Sequence, residues 1–474
     1  MRRRLAFYYV STVGVFGVGI ALVLMQGRAL ESARPGASAP PGGAAPVSQN
    51  VLDALRHPLP LLLVQLILVV AAARALGALF QRIGQPPVIG EIVAGILLGP
   101  SFLGALAPRT FETLFPASAA GLLKLFAEIG VLLFLFAVGL ELDVGRLRQS
   151  ARTAVVVSHA SIVVPYFLGV GSALFLYREH APAGVPFVPF ALFMGIAMSI
   201  TAFPVLVRIL KEKGLFGSEL GNTAVTAAAV DDVTAWSLLA MVVAISASRG
   251  LWAATVTMLL TVAFVAAMVL AVGPALRRLL VAHAERDEPG KTAVAAVLVV
   301  LLASALTTEL IGIHALFGAF LAGVVMPRRP RFRAYLTERL EEFSSVFLLP
   351  VFFAFTGLRT RIGLLDDARS WLICGALILV ATAGKLGGTL FAARASGASW
   401  YDAFTLGALM NSRGLMELIA LNVGYELGIL SPRIFAMMVL MALVTTFATS
   451  PLLSIANRWS GASTASAARL RSTS

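Results

Sequence analysis

Charge is scarce in this chain. Asp, Glu, Lys and Arg make up 13% of its 474 residues, about half the ~25% usual in soluble domains. Cysteine is nearly absent: the single Cys374 lies in an apolar run and excludes an intrachain disulfide framework. No Cys/His group has metal-ligand spacing, so no metal cofactor is expected. A phosphate loop is missing too, since Gly17-Val18-Gly19 has neither the strand nor the rest of a fingerprint around it. These absences give no footing for enzyme chemistry or a bound cofactor. The net charge of +13 raises nucleic acid as a partner, but the Lys and Arg residues fall in loops between apolar stretches and form no single patch.

What is abundant is apolar sequence: 58% of residues are hydrophobic and the mean hydropathy is +0.89. A helix crosses a bilayer with about 20 apolar residues, so the chain reads as an all-α polytopic membrane protein. Residues 1–28 hold Arg2, Arg3 and Arg4 followed by the apolar Leu5–Met25. This is a signal peptide or a signal-anchor helix, and its length favours the anchor. Residues 29–57 form a Pro/Gly/Ala-rich external linker. Residues 58–456 carry about thirteen spans: Pro58–Leu79, Val88–Leu106, Ala119–Leu140, Thr153–Tyr177, Val188–Leu210, Leu220–Ala247, Leu251–Leu276, Thr292–Leu310, Ile313–Met326, Phe343–Leu358, Trp371–Ala393, Tyr401–Val423 and Pro432–Ala456. Residues 457–474 read as a disordered cytoplasmic tail, with no nucleotide-binding or other soluble regulatory domain expected after it.

Basic residues set the orientation. Arg146, Arg148, Arg152, Arg208, Lys211, Lys213, Arg277, Arg278, Arg328, Arg329, Arg331 and Arg333 share one side, which should be cytoplasmic together with the carboxyl end. The opposite loops hold fewer, such as Arg109, Arg178 and Arg249; Arg359, Arg361 and Arg369 are the exception, offset in part by Asp366 and Asp367.

Against this background Asp231 and Asp232, adjacent in the apolar run Ala224–Leu239, are conspicuous. Each carboxylate at mid-membrane costs roughly 2.5–3.5 kcal/mol. The chemistry that makes such a cost useful is reversible binding of protons or cations. Adjacent helical residues diverge by about 100°, so one acid can face an aqueous cavity while the other faces a neighbouring helix. Burial disfavours a carboxylate's charged form and a nearby cation favours it. Lys385, inside another span, either pairs with one of these acids or snorkels to the cytoplasmic surface.

Two spans are interrupted. Ser199-Ile200-Thr201-Ala202-Phe203-Pro204 breaks the fifth, where Pro204 removes a donor and Ser199 and Thr201 offer oxygens. Met410-Asn411-Ser412-Arg413-Gly414-Leu415-Met416-Glu417 puts Asn411, Arg413 and Glu417 inside the twelfth. Broken helices at corresponding positions of two halves point to a transport site. With the seventh span as a linker, each half has six spans and each break is fifth in its half, which makes the halves inverted repeats. Weaker candidates remain. Glu91, in a Gly-rich helix, lines the cytoplasmic entry or simply starts the helix. Glu141 and Asp143 close the third span as solvated acids. His159 and His314 lie within spans, as titrating groups or as satisfied structural histidines.

Pro86–Pro100, Leu133–Glu141 and Ala229-Val230-Asp231-Asp232-Val233 resemble, in this order, the monovalent cation:proton antiporter-2 family of the sodium/proton exchanger superfamily. The Asn411–Glu417 segment is most similar to the plant-type cation/H⁺ exchangers. The resemblance covers about residues 58–456. It implies the sodium/proton antiporter fold, with crossed broken helices in a core domain that moves against a dimerisation domain, and hence a homodimer. It further implies Asp232 as the principal ion carrier, Asp231 paired with Lys385, and Thr201 at the first break. The function so implied is secondary active antiport of Na⁺ or K⁺ against protons in a bacterial cytoplasmic (inner) membrane, electrogenic as in double-Asp relatives; one charge crossing 100 mV is worth ~2.3 kcal/mol. Alternatives are a passive cation channel with the acids as a selectivity ring, a membrane-embedded sensor, or a ligand-gated K⁺ efflux system, which normally carries a nucleotide-binding domain.

Overall fold

Every apolar stretch between residues 58 and 456 becomes helix, and no strand occurs among the described residues, as hydrocarbon demands of a backbone that must satisfy its own polar groups. The structure, a computed structural model, describes residues 57–141, 152–216, 218–247, 251–284, 291–327 and 329–471. The Leu5–Met25 segment, the Glu31–Asn50 linker, Asp143, Arg146, Arg148, Arg249 and Arg328 lie outside these residues. All helices below belong to one unit, Pro58–Ser474; Met1–His57 form the other.

The helices are α1 (Pro58–Arg82), α2 (Pro87–Leu98), α3 (Ala120–Glu141), α4 (Arg152–His180), α5 (Phe187–Ser199), α6 (Phe203–Glu212), α7 (Glu219–Ala247), α8 (Leu251–Ala267), α9 (Gly273–Ala284), α10 (Lys291–Ile311), α11 (Ala315–Val325), α12 (Pro330–Phe343), α13 (Leu349–Arg359), α14 (Ala368–Ala395), α15 (Trp400–Met410), α16 (Leu415–Glu426) and α17 (Pro432–Arg471). Among the described residues ten stretches are long and apolar enough to cross a membrane. The pairs α5/α6 and α15/α16 and the shorter α11 supply three more, which gives the thirteen spans expected. The ends follow local chemistry. Left-handed Gly84, at φ 73°, stops the chain after α1, and Pro87 starts α2 where no donor is needed. Asp367 caps α14 by accepting from the Ser370 amide at 3.0 Å. Helix α17 runs on to Arg471.

Packing follows a two-fold internal pattern. Helix α1 packs on α2 as α10 packs on α11; α2 packs on α13 as α11 packs on α3; α4 packs on α5 as α14 packs on α15; and α4 itself packs on α14. The register is preserved at the glycines. A Cβ on Gly95 would overlap the Ala354 carbonyl, and one on Gly357 the Ile92 carbonyl. In the equivalent crossing a Cβ on Gly323 would overlap the Phe136 carbonyl, and one on Gly139 the Phe320 carbonyl. In both crossings each glycine lies on the carbonyl three residues before its partner glycine. Spans two and ten therefore repeat as nine and three, an offset of seven spans. An odd offset inverts the second half, leaving α8 and α9 as the linker.

Close backbone approach is what these small residues provide. Gly95→Leu is expected to destabilise the protein by about 1–3 kcal/mol through overpacking, read as a lower melting temperature in detergent. Gly121, with open space around it, is the control: Gly121→Leu should stay within about 0.5 kcal/mol of the parent.

Spans one to three and eight to ten form one bundle, and spans four to six and eleven to thirteen the other. Between them Trp236 of α7 packs its ring on Phe317 and Phe320 of α11, with centroids 5.4 and 6.0 Å apart.

Candidate ion-binding site

The two interrupted spans meet at their breaks. Helix α5 ends at Ser199, Ile200 turns to extended geometry with ψ 137°, and α6 begins at Phe203. Pro204 stands at the second position of α6, where its missing N–H is no loss. Across from it α15 ends at Met410 and α16 resumes at Leu415. The Ala202 amide donates to the Ser412 carbonyl at 3.0 Å. A Cβ on Gly414 would come within 3.0 Å of Val205 and 3.3 Å of Ala202, so residue 414 lets the two breaks touch.

A buried guanidinium clamps this crossing. Arg413 is fully buried and donates to the carbonyls of Ala197 at 2.9 Å and Met198 at 2.8 Å, the open C-terminal end of α5. Thr446 of α17 holds the Arg413 backbone, accepting from its amide at 3.0 Å and donating to its carbonyl at 2.8 Å. Glu417, also fully buried, lies 3.3 Å from Arg413, an ion pair without hydrogen-bond geometry. A cation at a helix C-terminus is favourably placed, and the planar fork of Arg serves two carbonyls at once.

The acids sit beside the crossing on α7. Asp231 Oδ1 accepts from Ser158 at 2.5 Å, and Oδ2 accepts from Ser161 at 2.7 Å and Thr201 at 2.8 Å. Lys385, fully buried on α14, lies 3.4 Å from Oδ2 and donates to the Thr201 hydroxyl. Lys385 therefore does not snorkel. Asp232 is 4% exposed, and its Oδ1 has no hydrogen-bond partner among the described residues.

The structure thus brings together Asp231, Thr201 and Lys385, with Asp232 beside them on α7 and Arg413 and Glu417 at the opposing break. Ser199 is buried, with its hydroxyl turned onto the Ile196 carbonyl at 3.0 Å. Asn411, fully buried, has its Nδ2 3.4 Å from the Thr445 carbonyl and its Oδ1 unpartnered. Other candidates fall elsewhere. Glu91 does not start its helix: α2 begins at Pro87 and Glu91 is buried one turn on. His159 is exposed, with Nδ1 2.9 Å from the Val155 carbonyl. His314 is not within a span: it precedes α11 at φ 79°. Ser158 and Ser161 were not singled out in the sequence; their signal is the i, i+3 spacing of two hydroxyls on one face of an apolar helix.

At the carboxyl ends of α13 and α16 a small open cavity is lined by Lys124, Glu128, His314, Phe355, Asn422 and Glu426. Arg359 of α13 pairs with Glu426 of α16 at 2.8 Å, and Lys124 of α3 reaches the same carboxylate at 3.3 Å.

The family model described as "Sodium/hydrogen exchanger, transmembrane" matches residues 66–455. The Na⁺/H⁺ antiporter NhaS4 of Synechocystis sp. is 43% identical over 83% of this chain and 96% of its own length. Cation/H⁺ antiporter 19 of Arabidopsis thaliana is 41% identical over 83% of this chain and 49% of its own, and K⁺/H⁺ antiporter 1 of Saccharomyces cerevisiae is 35% identical over 83% and 46%. This chain spans about half the length of the plant and yeast proteins. The sodium proton antiporter MjNhaP1 from Methanocaldococcus jannaschii shares the fold, with a TM-score of 0.58 over 87% of this chain and 97% of its own at 14% identity. With the crossed breaks, the inverted halves and a family match over most of its length, the chain belongs to the sodium/hydrogen exchanger family.

Proposed function

We propose that this protein is a secondary active antiporter that exchanges Na⁺ or K⁺ for protons by alternating access. The observation that carries the reading is the contrast between neighbours. Asp231 is met by three hydroxyls and an ammonium, whereas Asp232 keeps a buried oxygen with no partner. A buried carboxylate left alone is costly. A proton or an alkali cation relieves that cost equally well in kind, and only one fits at a time. Competition at Asp232 couples the two fluxes without covalent chemistry. Asp231 and Lys385 cancel one another's charge, so the core crosses near neutrality with either passenger.

The names of the relatives support a monovalent cation and protons as the substrates. The basic loops support a cytoplasmic carboxyl end; the moving core, a homodimer and a bacterial inner membrane rest on the family resemblance. The test is a pH-sensitive dye in vesicles carrying a preset ΔpH. Adding Na⁺, K⁺ or Li⁺ should dissipate the gradient only when protein is present; no response to any of the three contradicts the reading.

In this orientation the Arg359–Glu426–Lys124 cluster lies at the external end and ties the two bundles together. Its members are partly exposed, and such pairs contribute about 0.2–1 kcal/mol. They bias the outward opening and do not lock it. Glu426→Gln should change the apparent affinity for external cation by about fivefold or less, measured by the same dye assay with cation added outside.

A further inference from the structure

We propose that Ser158 and Ser161 are positioning residues that hold Asp231 against Lys385 and so keep it out of cation ligation; this rests on the antiport reading above. Both serines are buried on one face of α4, one turn apart. They are brought there by small residues around Lys385. A Cβ on Gly384 would come within 3.0 Å of Pro165, and one on Gly388 within 2.9 Å of the Ala160 carbonyl, so α4 and α14 lie close and the ammonium faces the two hydroxyls across Asp231.

A carboxylate offers about four lone-pair positions. At Asp231 four donors converge on them: Ser158 on Oδ1, and Ser161, Thr201 and Lys385 on Oδ2. Oδ2 carries three donors against about two lone pairs, so a dehydrated cation seeking it must first turn a donor away, and at Oδ1 it meets the Ser158 hydroxyl. Asp232, one residue on, imposes no such cost. The two serines are not equivalent, because each hydroxyl has one hydrogen. Ser161 has a second acceptor, the Ser158 carbonyl at 2.8 Å, and Thr201 has the Met410 carbonyl at 3.2 Å. Among the described residues Asp231 is the one acceptor for the Ser158 hydroxyl. Ser158 is therefore the fixed anchor, while Ser161 and Thr201 can turn to backbone as the core changes state.

The charged groups around Asp231 are Lys385 on α14, Asp232 on α7, and Arg413 and Glu417 at the second break, which act on Lys385. Without its serines the Asp231 carboxylate is no longer held against Lys385, and the ammonium, left unbalanced, repels the incoming cation.

The experiment measures cation-dependent exchange in vesicles for the parent, Ser158→Ala, Ser161→Ala and the double variant, with Ser161→Thr as the rescue that keeps a hydroxyl. Ser158→Ala should raise the cation KM about tenfold. Ser161→Ala should do so less, and the double variant more. The change falls on KM more than on the maximal rate. Ser161→Thr should lie nearer the parent than Ser161→Ala. A parent-like cation KM in folded Ser158→Ala overturns the inference. If the double variant fails to fold, the order of the two single variants decides, and equal or reversed effects overturn it. A parent protein that exchanges nothing defeats the antiport reading instead, so the two failures are separable.

Discussion

Asp232→Asn is expected to abolish exchange, lowering cation-driven proton flux to the leak of vesicles without protein. That is a loss of about 100-fold or more, or roughly 2.7 kcal/mol or more in the transport barrier. The amide has nearly the shape of the carboxylate, so the fold should survive and the melting temperature should stay close to the parent's. What disappears is the charge for which proton and cation compete. The buried oxygen of residue 232 then no longer needs either ion. Asp232→Glu keeps the charge but shifts it by one methylene, and some activity should return. Parent-like exchange in Asp232→Asn would remove the proposed carrier.

The second large effect is structural. Arg413→Ala removes the donor from two carbonyls at the end of α5 and leaves Glu417 buried without its cation. Breaking a buried pair from one side costs about 3–5 kcal/mol, a large share of the 5–15 kcal/mol that keeps an ordinary domain folded. The expected outcome is little monodisperse protein in size-exclusion chromatography and a steep fall in melting temperature. Arg413→Lys should recover little, since a point ammonium cannot serve both carbonyls in a fixed fork. Arg413→Ala combined with Glu417→Ala should recover part of the loss, because no charge is then stranded. A stable Arg413→Ala protein would show that the crossing does not depend on this clamp.

The spans were legible because hydrocarbon imposes length and polarity on each of them. The breaks were legible because Pro204 and the polar run Asn411–Glu417 interrupt apolar sequence visibly. The inverted halves could be counted, yet their register lay in four glycines, Gly95, Gly139, Gly323 and Gly357, whose partners are distant in the chain. The site itself was only partly legible. That Asp231 and Asp232 diverge follows from helix geometry, but which one is saturated depends on α4, and nothing local says so. Ser158 and Ser161 read as ordinary serines bonded back to their own helix. His159, between them, is the more reactive residue, but it is exposed, because adjacent positions on a helix face differently. Arg413 shows as a charge in a break; its acceptors at Ala197 and Met198 lie in the other half of the molecule.

Proton release on cation binding tests the central claim most directly. Purified protein in weakly buffered detergent solution, mixed with Na⁺ or K⁺ near neutral pH, should release protons in a saturable manner, up to about one per site. Asp232→Asn should release none. Cation binding without proton release in the parent, or undiminished release in Asp232→Asn, would contradict competition at that carboxyl group.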